Sequence, residues 1–180
     1  MTIFLDWREY IEQFKASDQE ELHFDATDKL DITRHCKERF TKGWIRWIEL
    51  RQGIGLFIEK TYNHDQLLFN VCVVEQALVW YFILSGKQKS IHFPSCKGAN
   101  FSLPQRRFFL HGTNLTDLYI DDYADTGPCL SVSIFVWPKA LRSFVSDPSG
   151  ELPPALKHLI RPRGSACYKR AGETSPMMYA

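Results

Sequence analysis

Residues 43–60 read GWIRWIELRQGIGLFIEK, and the fold class turns on how this stretch is taken. Two runs, GWIRWIEL (43–50) and IGLFIEK (54–60), alternate apolar with other residues on either side of RQG. A period of two is what a pleated strand requires, because successive side chains point to opposite faces. Gly53 can supply the positive backbone angle of a tight reversal. The stretch is therefore predicted as a β-hairpin. Its even-numbered set, Trp44, Ile48, Leu50, Ile54, Leu56 and Ile58, makes the more apolar line and is the expected inner face. Arg46 then points inward among apolar neighbours, unless the register slips by one and turns every side chain over.

Further strands follow. LLFNVCVV (67–74) and ALVWYFILSG (77–86) are apolar at nearly every position, as strands covered on both faces are. The Val, Trp, Tyr, Phe and Ile of the second run favour a strand over a helix. Residues 87–105 are polar, and Pro94, Gly98 and Pro104 break any long element there. RRFFLHG (106–112), LTDLYID (115–121) and CLSVSIFVW (129–137) continue the short-strand pattern. Helices are expected at both ends. In DWREYIEQFK (6–15), Trp7, Tyr10, Ile11 and Phe14 share a helical face and Asp6 can cap it. Pro138 opens PKALRSFV, and GELPPALKHLIRP (150–162) is a helix with marked bounds. Pro153 and Pro154 sit in the first turn, where a missing donor does no harm, Pro162 follows Arg161 at the end, and Leu152, Leu156, Leu159 and Ile160 form a stripe. The resulting expectation is a mainly β chain: an antiparallel barrel or sandwich of roughly seven to nine strands with flanking N- and C-terminal helices. Residues 1–42 form an N-terminal helix and acidic connection, 43–137 the β core, and 138–180 helices packed on it.

Composition narrows the function. At 180 residues the chain is most economically one domain. Aromatics make up 14% of it, a load that fills a core or walls a pocket. The net charge of +1 lacks the basic excess typical of nucleic-acid binding, so no nucleic-acid partner is expected of these residues. The acid-rich 18–31 and the basic 157–170 read as solvated segments. The five cysteines are dispersed with no CxxC, and Cys72 and Cys129 lie in apolar strand patterns. The opening MTIFLDWREY turns polar within six residues, unlike a signal peptide, and no apolar run approaches the ~20 residues of a membrane span. A reduced, cytoplasmic protein without a membrane partner is expected.

Catalytic patterns are missing. There is no GxSxG, and GKQKS lacks the rest of a P-loop. Six histidines are scattered, and none forms the His-x-His pair that would aim two imidazoles from one strand at a metal. His92 and His111 could converge from separate strands, but each also reads as an ordinary polar histidine. His35 beside Cys36 is a poor metal site. No enzyme activity, catalytic residue, metal or cofactor is therefore expected.

LRQGIGLFI (50–58), YFILSG (81–86) and above all SFVSDPSGELPPALKHLIRP (143–162) with YKRAGETSPMM (168–178) resemble the sensor half of bacterial AraC-type transcription regulators. The branch with the pyochelin regulator and its cyanobacterial relatives is the most similar. The resemblance runs from about Gly43 to Met178 and is weaker around 87–128. It implies a cupin-like β-barrel that binds a small effector, with the LPPALKHLIRP segment packed beside it. It also implies a dimerisation helix and a DNA-binding half, which would need ~100 residues beyond Ala180 (a domain-sized addition). The sequence is thus expected to be an excised sensor domain or a natural truncation.

A pocket for an aromatic, anionic metal chelate such as a ferric siderophore needs flat apolar walls and one or two cations. Trp44, Arg46, Trp80, Phe82, Phe108, His111 and Trp137 are the candidate ligand-binding set. Core aromatics with Arg46 at the rim are the plainer reading. A buried Arg46 calls for a carboxylate such as Glu75 or a ligand anion. The leading expectation is a non-enzymatic effector-sensing domain whose partner is a small molecule, with homodimerisation open. A stand-alone protein-interaction module and a metal-dependent cupin enzyme are the rivals.

Overall fold

The computed structural model describes residues 2–6, 9, 30–36, 41–70, 77–86, 89–93, 99–103, 106–112, 119–122, 127–145, 151–157 and 169–173. The chain is mainly β. Its strands are β1 (Thr2–Asp6), β2 (Asp31–His35), β3 (Thr41–Arg51), β4 (Ile54–Asn63), β5 (Gln66–Asn70), β6 (Leu78–Ser85), β7 (Lys89–Phe93), β8 (Ala99–Leu103), β9 (Arg107–Gly112), β10 (Tyr119–Asp122), β11 (Cys129–Val136) and β12 (Lys169–Glu173). Two helical segments, α1 (Pro138–Val145) and α2 (Pro154–Lys157), are described. The larger sheet runs β12-β9-β6-β11-β4-β3-β2 and the smaller β1-β5-β10-β7-β8. Every described pairing is antiparallel except β1 with β5.

The 43–60 hairpin forms as its alternation predicts. Gly53 has φ of +79° in the reversal, and its carbonyl accepts a hydrogen bond from the Trp137 N–H at 3.0 Å. That bond fixes where α1 departs, and Ala140 of α1 is buried against Gly53. The β3–β4 register shifts between Glu49 and Arg51, leaving Leu50 as an extra residue on the bulged strand. Leu50 consequently stands 58% exposed rather than facing inward.

Several expectations need amending. The polar stretch 87–105 carries two short strands, β7 and β8, which pair with each other. Residues 31–35 belong to the larger sheet through β3, so Asp31 is not a solvated end of an acidic connection. Near the C-terminus β12 adds an outer strand along β9. In the N-terminal helix segment, Asp6 ends β1 and Glu9 is helical, and the rest lies outside the described residues. Leu152 is buried as expected of the last helix, while Leu159 and Ile160 fall outside the described residues.

The inner face also differs. The odd-numbered residues are the more deeply buried: Ile45 on β3, then Phe57, Glu59, Thr61 and Asn63 on β4, and Ser131 and Ser133 on β11. The apolar even-numbered line, with Ile48, Leu56, Ile58, Val132 and Ile134, is only half-buried. On β4 and β11 apolar patterning pointed to the wrong face, because there the covered side carries the Glu59 carboxylate and the Thr61, Ser131 and Ser133 hydroxyls.

Candidate functional site

Strand register settles which side chains share a surface. One cross-strand row contains Thr33, Arg46, Ile58, Val132, Phe82, Phe108 and Gly172 on β2, β3, β4, β11, β6, β9 and β12. The next row on the same face contains Asp31, Ile48, Leu56, Ile134, Trp80, Leu110 and Arg170. Trp44, two residues before Arg46 on β3, lies on that face as well. The candidate residues Trp44, Arg46, Trp80, Phe82 and Phe108 are therefore brought to one face. They are not adjacent. With strands ~4.8 Å apart, Arg46 and Phe82 stand ~14 Å apart along the sheet. Phe82 and Phe108 touch, with ring centroids 6.2 Å apart, and Ile58 and Val132 make an apolar floor between them and Arg46.

Arg46 has a carboxylate partner, but it is Asp31. The guanidinium donates from Nε to Oδ1 at 2.8 Å and from Nη2 to Oδ2 at 2.6 Å. The two side chains are 25% and 13% exposed. Hydrogen bonding to Asp31 raises the Arg46 pKa further, so the guanidinium stays charged. Bidentate geometry of this kind is the strong form of the Arg–carboxylate contact. Glu75, the partner expected from sequence, lies outside the described residues. Beside the pair is the Thr33 hydroxyl, whose oxygen is buried and makes no hydrogen bond among the described residues. Asp31 and Thr33 were missed from sequence. The signal was present in DITRH, where alternate residues Asp31, Thr33 and His35 share one strand face.

The other two candidates lie on the opposite face. Trp137 joins Trp47 and Phe135, at centroid distances of 6.1 and 6.0 Å, over Gly55. The glycine is needed there, because a Cβ at position 55 would meet the Trp47 ring. His111 lies on the same side as Phe109, 5.3 Å between ring centroids. Farther along this face, Glu59 accepts hydrogen bonds from the hydroxyls of Ser131 at 3.1 Å and Thr61 at 3.4 Å. Among the described residues no group of three or more His, Cys, Asp or Glu is arranged to hold a metal ion.

His111 is 6% exposed, and its Nδ1 makes no hydrogen bond among the described residues. Burial pushes its pKa from 6.5 down to about 4. Between those values the unfolded chain takes up a proton that the folded chain refuses. Stability from this group is thus full above pH 6.5 and falls as the pH drops toward 4. The loss between pH 7.5 and 4.5 is expected to be about 2–3 kcal/mol. Urea unfolding at the two pH values measures it, and His111→Gln should show a smaller pH dependence by that amount. Equal pH dependence in the two proteins would overturn this account.

No helix among the described residues is long and apolar enough to cross a membrane. No known family model matches the chain, and no curated protein sequence matches it. Among the solved structures that match, two are similar at low identity. One is vicilin from Corylus avellana (hazelnut), with 15% identity over 63% of this chain and 33% of that chain and a TM-score of 0.44. The other is ToxT from Vibrio cholerae O395, with 13% identity over 54% of this chain and 37% of that chain and a TM-score of 0.39. The chain thus covers only about a third of the length of either neighbour.

Proposed function

We propose that this chain is a non-enzymatic effector-sensing domain of the AraC type, with a cupin-like β body. Its effector is a small molecule that lies on the face bearing Trp44, Arg46, Trp80, Phe82 and Phe108. One observation carries the reading. On one face of the larger sheet Trp44, Ile48, Ile58, Val132, Ile134, Trp80 and Phe108 remain half-exposed, beside the buried Phe82 and Leu110. Apolar surface left in water forgoes ~25 cal/mol per Å². A continuous apolar surface still open to water is characteristic of a binding site. Aromatic rings at its β6–β9 end and an ion pair at its β2–β3 end supply flat contact and orientation.

The sequence resemblance adds the regulatory context. Ligand occupancy would shift the balance between conformations of the β body, and with it the presentation of a DNA-binding half. A ferric siderophore is the ligand class that the resemblance implies. Tryptophan fluorescence tests this directly, because Trp44 and Trp80 belong to the proposed face. Titration with metal-loaded siderophores is expected to give a saturable change in emission that Trp44→Phe or Trp80→Phe diminishes. Flat titrations for every chelate would remove that ligand class. A saturable change that survives both substitutions would remove the face.

A further inference from the structure

The apolar face carries a second arginine at its β9–β12 end, far from the ion pair of β2 and β3. We propose that Arg170 anchors the carboxylate of a planar aromatic acid whose rings lie against Trp80 and Phe108. This deepens the function proposed above and rests on it.

Register brings these side chains together. Trp80 on β6, Leu110 on β9 and Arg170 on β12 form one cross-strand row, and Phe82, Phe108 and Gly172 form the row beside it. Trp80 and Phe108 are half-exposed, and both offer ring surface to a ligand. The Phe108 ring reaches across to β12, because a Cβ at Gly172 would come within 2.6 Å of its Cε1 and 2.7 Å of its Cζ. Gly172 thus leaves room for that ring two residues from Arg170. With strands ~4.8 Å apart, Trp80 and Arg170 stand ~10 Å apart along their row, a distance that an acid of one or two rings spans.

Charge selects the head group. Arg170 is exposed, and its side chain makes no ion pair, hydrogen bond or ring contact among the described residues. The acid of β12, Glu173, lies on the opposite face, 3.8 Å from Arg107. Asp31, Lys42, Arg46 and Lys60, charged residues on the same face as Arg170, lie on β2, β3 and β4, four or more strands from β12. A carboxylate arriving at Arg170 therefore meets a guanidinium that can donate two parallel hydrogen bonds to it. No existing ion pair has to be broken. Contact with the Trp80 and Phe108 rings supplies the apolar share of the affinity.

Two probes of matching shape test the anchor: 2-naphthoate, anionic at neutral pH, and 2-naphthol, uncharged there. Equilibrium dialysis with the full chain is expected to show naphthoate binding about fivefold tighter, a preference that raised ionic strength erodes. Arg170→Gln should weaken naphthoate binding about fivefold and leave naphthol binding unchanged. Gly172→Ala displaces the Phe108 ring and should weaken both probes alike, by about threefold. If Arg170→Gln leaves naphthoate binding unchanged while Trp80→Phe weakens it, the anchor is overturned and the apolar face stands. Naphthol binding the native chain as tightly as naphthoate, with the same sensitivity to Trp80→Phe, has the same meaning. Binding of neither probe would overturn the anchor and count against the apolar face as well. So would binding that Trp80→Phe and Gly172→Ala both leave unchanged.

Discussion

Gly43→Ala is expected to cost about 3 kcal/mol or more. Gly43 sits inside β3 with φ of +141°, a conformation that side-chain-bearing residues rarely adopt. Strain alone would cost ~1 kcal/mol or somewhat more. Here the added Cβ would also collide with the Lys60 carbonyl oxygen and lie 3.0 Å from the Thr61 Cα. Both are backbone atoms of β4, which no rotamer change can move aside. The β3–β4 ladder, which pairs ten residues of β3 with β4, would have to part locally. Gly127 provides the control, since it has φ of +78° and no atom within 4 Å of the position a Cβ would take. Gly127→Ala should therefore show the conformational cost alone, about 1 kcal/mol. Urea denaturation of the two variants separates the effects, and equal losses would show that the approach of Lys60 does not matter.

The second large effect concerns the ion pair. Asp31→Ala is expected to destabilise the chain by about 3 kcal/mol, because a mostly buried guanidinium loses its carboxylate. Arg46→Met should cost a similar amount by taking the guanidinium away from Asp31, which is 9% exposed. Removing both charges together should cost much less than the sum, with a coupling of about 2 kcal/mol in a double-mutant cycle. Additivity to within about 0.5 kcal/mol would mean that the pair behaves like an exposed one and contributes little.

Sequence reading succeeded where the information was local. Alternation across 43–60 located both strands of the hairpin, and Gly53 its turn. PKALRSFV gave α1 with its observed bounds, since proline suits a first turn and the segment carries one apolar side. Trp44 and Arg46 share a face because both are even positions on β3, and Trp80 and Phe82 do so on β6. Short strands with weak alternation were harder. KSIHF and ANFSL lie among polar residues and glycine or proline breaks, and they become strands through pairing with each other.

What the sequence by itself determined is the mainly β class, the hairpin, α1 and the within-strand parity of the candidate residues. These depend on φ, ψ preference and on side-chain alternation, which neighbouring residues encode. Only the tertiary structure decided that Asp31 pairs with Arg46, that His111 and Trp137 lie across the sheet from the other five candidates, and that the odd-numbered face of β3, β4 and β11 is the covered one. Partners fifteen residues apart and faces covered by distant segments are set by register and packing, and a period of two is blind to both.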